Sequence, residues 1–158
     1  MIDARVRQFY ERNGRTILGR ARTLLADVDA AKDVMQEVVV MVVTKETHVL
    51  DLPRPGPWLY RVTTNMCLNR LRDDRRRKEL IGTRADEPLH PEDVEKRAIV
   101  LDILRRVPAE LQEVAVYHYV DEMSHDEIAD LMGISRRTVG NRLTAFKKRV
   151  TLLREGVA

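Results

Sequence analysis

At 158 residues the chain has room for one ordinary domain or two small ones. Charged residues make up 34% and aromatics 4%, with 7 glycines and 6 prolines, which favours a helical protein over a sandwich or barrel. The single cysteine, Cys67, excludes an internal disulfide framework and a cysteine-based zinc cluster.

No run approaches the ~18 apolar residues that cross a bilayer, and the first residues lack the apolar core of a signal peptide. A cytoplasmic protein without membrane insertion is therefore expected. The net charge of +3 is modest, so any case for a polyanionic partner must rest on clusters of charge.

Residues Ala4 to Leu25 have the period of an amphipathic helix, with Phe9, Ile17, Leu18, Leu24 and Leu25 as core candidates. Asp29 is then placed to cap a helix through AAKDVMQEVVVMVVTK. The run VVVMVV is rich in β-branched residues and imitates a strand. Strong helix formers precede it, and Val34, Val38, Met41 and Val42 share one face, so a helix is predicted. Its apolar content wraps most of the circumference near the end, which calls for deep burial or a covering partner.

Three prolines in DLPRPGP (51–57) break the pattern, and Pro57 suits the start of the next helix. That helix runs through WLYRVTTNMCLNRLRDDRRRKEL, with Leu59, Val62 and Met66 expected inside and Arg61, Thr64, Asn65, Leu68 and Arg72 roughly opposite. Trp58 and Tyr60 stand at its head and Arg70, Arg72, Arg75, Arg76, Arg77 and Lys78 at its tail. Aromatics beside basic residues make a stacking platform for unpaired bases in a positive groove. The same residues also fit two core aromatics followed by a solvated helix end.

IGTRADEPLHPE has two prolines, a glycine and clustered acids, and reads as a linker. Beyond it, EKRAIVLDILRRV is helical and Pro108 opens another helix, PAELQEVAVYHYV. The expected fold class is therefore all-α, with small helical domains at residues 1–80 and 95–158 joined by a flexible linker at 81–94.

The C-terminal stretch SHDEIADLMGISRRTVGNRLTAFKKR carries the most specific local signal. Ser124 with Glu127 three residues on forms a capping box, and Ile128, Ala129, Leu131 and Met132 supply an apolar side. Gly133 suits the left-handed residue that ends a helix, and Ser135 is an N-cap for the next. This is the layout of a helix-turn-helix, whose second helix enters the DNA major groove.

In that second helix Val139, Leu143, Phe146 and Val150 stack on one face. Arg137, Asn141, Thr144 and Lys148 project opposite, and these residue types hydrogen-bond base edges and phosphates. Arg136, Arg142, Lys147 and Arg149 flank the stripe and suit phosphates. From Val107 to Gly133 there are seven acids and no lysine or arginine; from Ser135 to Arg154 there are seven basic residues and no acid. Such segregation turns the second helix toward a polyanion and the preceding segment away from it.

Taken together, these segments resemble an extracytoplasmic-function (ECF) sigma factor, a bacterial transcription initiation subunit of the sigma-70-like family. DVDAAKDVMQEVVV is similar to the family's D-A-E-D-x-x-Q-E-V-F, and PWLYRVTTNMCLNRLRDDRRR to W-L-Y-R-x-x-x-N-x-x-x-D/N-x-x-R. The stretch from Leu101 to Leu143 resembles region 4. The resemblance implies binding to core bacterial RNA polymerase through Asp33, Gln36 and Glu37. It implies melting and reading of the minus-ten element by Trp58, Tyr60, Arg61, Asn65 and Asn69, with Arg72, Arg75, Arg76 and Arg77 on the backbone. It implies recognition of the minus-thirty-five element of promoter DNA by Ser135, Arg136, Arg137, Thr138, Asn141, Arg142, Thr144, Lys147 and Lys148. An anti-sigma protein that covers these surfaces is implied as a further partner.

Several positions depart from the family pattern. Val39 and Val43 stand where aromatics are usual and are expected to loosen core packing. Met41 replaces a frequent basic residue, and Gly140 the lysine of T-V-K-S-R-L. Thr63 and Thr64 replace alanine and arginine, which points to an unusual promoter preference or weaker melting.

Two other readings remain at this level. An autonomous helix-turn-helix regulator explains the C-terminal motif but not the Trp58-to-Arg77 constellation, and no heptad seam for a dimer is visible. A sigma-like protein that binds polymerase without supporting initiation fits the N-terminal departures. An enzyme is not expected, since no glycine-rich phosphate loop is present and Cys67 reads as a small buried residue. His118 and His125, seven apart, match neither one-turn nor two-turn ligand spacing, so no metal or cofactor is expected.

Overall fold

The computed structural model describes residues 3–81, 99 and 102–156, with backbone alone over 74–81. Their regular structure is all helical, with no strand among the described residues. The chain divides into two compact units, Met1–Cys67 and Leu68–Ala158. The expected linker at 81–94 lies, apart from its first residue, outside the described residues.

In the first unit, α1 (Ala4–Leu25) starts where the Asp3 carboxylate accepts from the Arg5 backbone N–H, at 3.0 Å. Its inner face is Phe9, Gly14, Ile17, Arg20, Ala21 and Leu24. Leu18 and Leu25, expected inside, are only half-buried.

Helix α2 (Val28–Thr44) packs on α1. Its cap is Asp27, which accepts from the N–H groups of Asp29 at 2.9 Å and Ala30 at 3.2 Å. The expected cap, Asp29, instead lies in the first turn, where an acid faces the positive end of the helix dipole. The valine-rich run is helix, because Ala31, Val34, Val38 and Val42 form one fully buried stripe. Met41 is half-buried.

A short 3-10 turn (Thr47–Asp51) and the proline-rich break lead to α3 (Gly56–Ile81). Its buried positions correct the expected inner face. Leu59, Thr63, Thr64, Cys67, Leu68 and Leu71 are buried, whereas Val62 and Met66 are half-buried. Thr64 can be inside because its hydroxyl is satisfied locally: it donates to the Tyr60 carbonyl at 2.7 Å and accepts from Arg20. Side-chain polarity is therefore a poor guide to orientation here.

In the second unit, residues 102–106 are helical and precede α4 (Ala109–Ala115), which widens into a π-type turn over Val116–Val120. Helix α5 (His125–Met132) and helix α6 (Arg136–Arg154) follow, and both α4 and α5 pack on α6. The core is Val114, Ala115, Val116, Tyr117, Ile128, Met132, Val139, Leu143 and Phe146.

Two polar side chains share it. Gln112 donates to the Leu104 carbonyl at 2.5 Å, and the Tyr117 hydroxyl donates to the Glu113 carboxylate at 2.9 Å. Both are satisfied, as buried polar groups must be. No helix among the described residues is long and apolar enough to cross a membrane, and no described cluster of His, Cys, Asp or Glu could hold a metal ion.

Candidate nucleic-acid interface

Helix α5 is closed at both ends by its own sequence. The Ser124 hydroxyl accepts from the Glu127 N–H at 3.1 Å, and the Glu127 carboxylate accepts from the Ser124 N–H at 3.3 Å. Gly133 then takes φ 65°, a left-handed conformation that glycine adopts without the Cβ penalty. The Ile134 N–H reaches back to the Ala129 carbonyl at 3.2 Å, and the Ser135 hydroxyl accepts from the Thr138 N–H at 3.0 Å. Cap, turn and cap together set where α6 begins.

Val139, Leu143 and Phe146 anchor α6 against the core, and Val150 is half-buried. That anchoring turns Arg137, Asn141, Thr144 and Lys148 outward, and all four are exposed. Arg136 and Lys147 are exposed beside them, while Arg142 and Thr138 are half-buried. Four residues of the expected minus-thirty-five set also have partners within the protein. Arg136 pairs with Asp126 at 3.6 Å, the Ser135 and Thr138 hydroxyls lie 2.9 Å apart, and the Thr144 hydroxyl donates to the Gly140 carbonyl at 3.0 Å. Ser135 and Thr138 thus serve first to start the helix. A Cβ at Gly140 would meet nothing within 4 Å, so no steric need for glycine exists there.

Before α5, the His118 ring donates from Nδ1 to the Met123 carbonyl at 3.0 Å and meets the His125 ring edge-on, with centroids 5.4 Å apart. These two histidines brace the loop that leads into the motif.

On α3, Trp58, Tyr60, Arg61 and Asn65 are all half-buried, and Asn69 is exposed. Tyr60 is held from α1: the Arg20 guanidinium lies over its ring, 4.2 Å from the centroid. Arg20 Nε also donates to the Thr64 hydroxyl at 3.0 Å, and Arg20 is only 8% exposed. A lone arginine in an amphipathic helix gives no sequence signal of this kind, and Arg20 was not among the expected site residues. Its position on the same face as Phe9, Ile17 and Leu24 is the one hint the helical period contained.

In the second unit, Arg72 donates to Gln112 at 2.5 Å and also to Asn69, so its guanidinium has partners inside the protein. Arg75, Arg76 and Arg77 fall where α3 is described by backbone alone.

On α2, Asp33, Gln36 and Glu37 are exposed on the side away from the buried valines. Val40 continues this outer side at 59% exposure and Val43 at 38%. Val43 was expected to sit in the core. It is a surface residue instead, and Val39 is half-buried.

Comparison with known proteins matches two stretches of the chain to one family. Residues 9–77 match the model for sigma-70 region 2, and residues 97–150 match the model for sigma-70 region 4. The chain is 29% identical over 147 residues to the ECF RNA polymerase sigma factor SigL of Mycobacterium tuberculosis, across 89% of this chain and 83% of that protein. It is 29% identical over 138 residues to the ECF sigma factor SigW of Bacillus subtilis, across 76% and 73%. The probable RNA polymerase sigma factor RfaY of Xanthomonas campestris is 27% identical over 147 residues, across 85% of this chain but only 36% of that longer protein.

Among solved structures, the sigma factor RpoE of Bartonella quintana, in complex with the anti-sigma factor NepR, superposes with a TM-score of 0.54 at 16% identity, over 94% of this chain and 96% of that one. That likeness concerns the fold. The two family models and the curated relatives carry the assignment: the chain belongs to the sigma-70 family, as a promoter-recognising RNA polymerase sigma factor of the ECF type.

Proposed function

We propose that this sigma factor divides its work between residues 1–80 and residues 95–158. Asp33, Gln36 and Glu37 dock on core bacterial RNA polymerase. Trp58, Tyr60, Arg61, Asn65 and Asn69 receive the unpaired minus-ten strand, with Arg72, Arg75, Arg76 and Arg77 along its backbone. The outward stripe of α6 reads the minus-thirty-five duplex, through Arg137, Asn141, Thr144 and Lys148 on base edges and phosphates and Arg136, Arg142 and Lys147 on phosphates.

The observation that carries the reading is the outward stripe of α6. Four side chains of base-reading and phosphate-binding types are exposed on the side opposite the buried Val139, Leu143 and Phe146. Seven basic residues and no acid from Ser135 to Arg154 give that helix the charge a DNA groove selects.

An anti-sigma protein is the proposed negative partner, by analogy with the sigma-anti-sigma complex of the structural relative. The proposed activity takes place on polymerase in the cytoplasm, and this protein supplies positioning and strand capture rather than catalysis.

Purified protein is mixed with core bacterial polymerase, and promoters are selected from a randomised duplex library. Run-off transcription from a selected promoter is expected only with the protein present. Replacing Arg137 and Asn141 together by alanine is expected to lower affinity for that duplex by about tenfold or more, at about 1–3 kcal/mol per lost base contact, and to leave core binding intact. Failure to bind core overturns the reading; binding without transcription favours a sigma-like protein that does not initiate.

A further inference from the structure

The minus-ten helix holds an arrangement that its own sequence does not account for. Tyr60 is one of two aromatics at the head of α3, and one face of its ring is already occupied. The Arg20 guanidinium, from α1, lies 4.2 Å from the ring centroid. Arg20 is 8% exposed, and its Nε donates to the Thr64 hydroxyl at 3.0 Å. Thr64 is fully buried and donates in turn to the Tyr60 carbonyl at 2.7 Å. The three residues close a ring of contacts: Arg20 holds the side chain of Tyr60, and Thr64 holds Arg20 while bonding the backbone of Tyr60.

The physical consequences are specific. A tyrosine ring on a helix surface ordinarily turns about two side-chain bonds. Here a flat cation covers one face, so a base can stack only against the other. Arginine is suited to this because its planar guanidinium stacks on an aromatic face and stays charged at any working pH.

Thr64 is fully buried on the side of α3 that Arg20 meets. A threonine there is short enough to be buried and to supply the acceptor that Arg20 uses.

We infer that Arg20 is a positioning residue for promoter melting: it stacks under Tyr60 from the protein side, sets the ring for an unpaired base of the minus-ten strand, and depends on Thr64 for its own orientation. The inference rests on the proposed role of Tyr60 and adds the residue that makes that role geometrically definite.

The test is a double-mutant cycle in the holoenzyme, formed with the full-length chain and core polymerase. The probe is a fork-junction duplex whose single-stranded end carries the selected minus-ten sequence, with 2-aminopurine to report unstacking. Tyr60→Ala is expected to weaken strand capture about tenfold or more, the scale of losing one stacked base. Arg20→Gln in the otherwise native chain is expected to weaken it about three- to tenfold, with core binding unchanged. Arg20→Gln in the Tyr60→Ala background is expected to add nothing further. Arg20→Lys keeps the charge without the flat stack and should recover only part of the loss. Thr64→Val should reproduce a fraction of the Arg20→Gln effect.

Equal effects of Arg20→Gln with and without Tyr60 overturn the inference and reduce Arg20 to a structural cation. No effect of Tyr60→Ala overturns the role of Tyr60 itself, and the inference with it. An effect of Tyr60→Ala with none of Arg20→Gln leaves the role of Tyr60 standing and removes Arg20 from it.

Discussion

Thr63 is 1% exposed, and its hydroxyl meets no hydrogen-bond partner. A buried polar group left in that state costs free energy that an apolar group of the same shape does not. Thr63→Val preserves the shape and replaces the hydroxyl with a methyl. It is expected to raise stability by about 1 kcal/mol, seen as a higher thermal midpoint, with promoter recognition unchanged. A lower midpoint would mean that the hydroxyl is satisfied in solution. The next residue, Thr64, differs completely, since its hydroxyl has both a donor and an acceptor. Two adjacent threonines thus carry opposite energetic signs, and only their neighbours distinguish them.

Among the elements, α5 is short and relies on its ends. Its N-terminus has both halves of the capping box, and its C-terminus has Gly133 at φ 65°. Ser124→Ala removes the acceptor for the Glu127 N–H and is expected to cost about 1 kcal/mol. Urea unfolding should show the loss, and duplex binding by the holoenzyme should be unchanged at temperatures well below the midpoint. Weaker binding at those temperatures would mean that the cap also orients α6.

Helix α2 poses the reverse case. It has a fully buried stripe and yet leaves Val40 59% exposed beside the exposed Asp33, Gln36 and Glu37. Val40→Asp is expected to weaken core-polymerase binding about tenfold in a pull-down titration, while stability stays within about 0.5 kcal/mol, as for other exposed positions. Unchanged core binding would remove Val40 from the proposed docking face.

The whole molecule is close to charge balance, with 28 basic and 25 acidic side chains, so its attraction to DNA depends on where the charges lie. Segregation around the helix-turn-helix makes salt the natural probe. For the holoenzyme on its selected promoter, Lys147→Ala is expected to reduce the slope of log affinity against log salt by about one, the signature of one lost phosphate contact. Gly140→Lys should act in the opposite sense. It adds a cation where a Cβ meets nothing within 4 Å, and it removes a helix-interior glycine that costs about 1 kcal/mol relative to alanine. A steeper salt slope together with a higher thermal midpoint is the expected result. A variant that is more stable but binds DNA no more tightly would show that this flank of α6 does not approach phosphates.

Periodic apolar residues, caps and breaks were enough to read the all-helical class, the helix-turn-helix and its outward stripe from the chain itself. These signals are local: a cap needs three residues, and a helix face needs two turns. The ordered motifs were enough to read the family, because several short patterns in one order constrain more than any one does. What the sequence could not determine was which flank of α3 turns inward. Thr63, Thr64 and Leu68 are buried, and Val62 and Met66 only half-buried; Thr64 tolerates burial because a partner helix supplies the donor to its hydroxyl. It could not place Val43 outside the core, nor move the α2 cap from Asp29 to Asp27, where two neighbouring helix starts compete.

Above all it could not bring Arg20 to Tyr60, which lie 40 residues apart in the chain and 4.2 Å apart, guanidinium to ring centre, in space. Local periodicity determines what each helix offers. Only packing between helices decides which of those offers meet, since burial, charge pairing and ring contact depend on neighbours the local sequence does not contain.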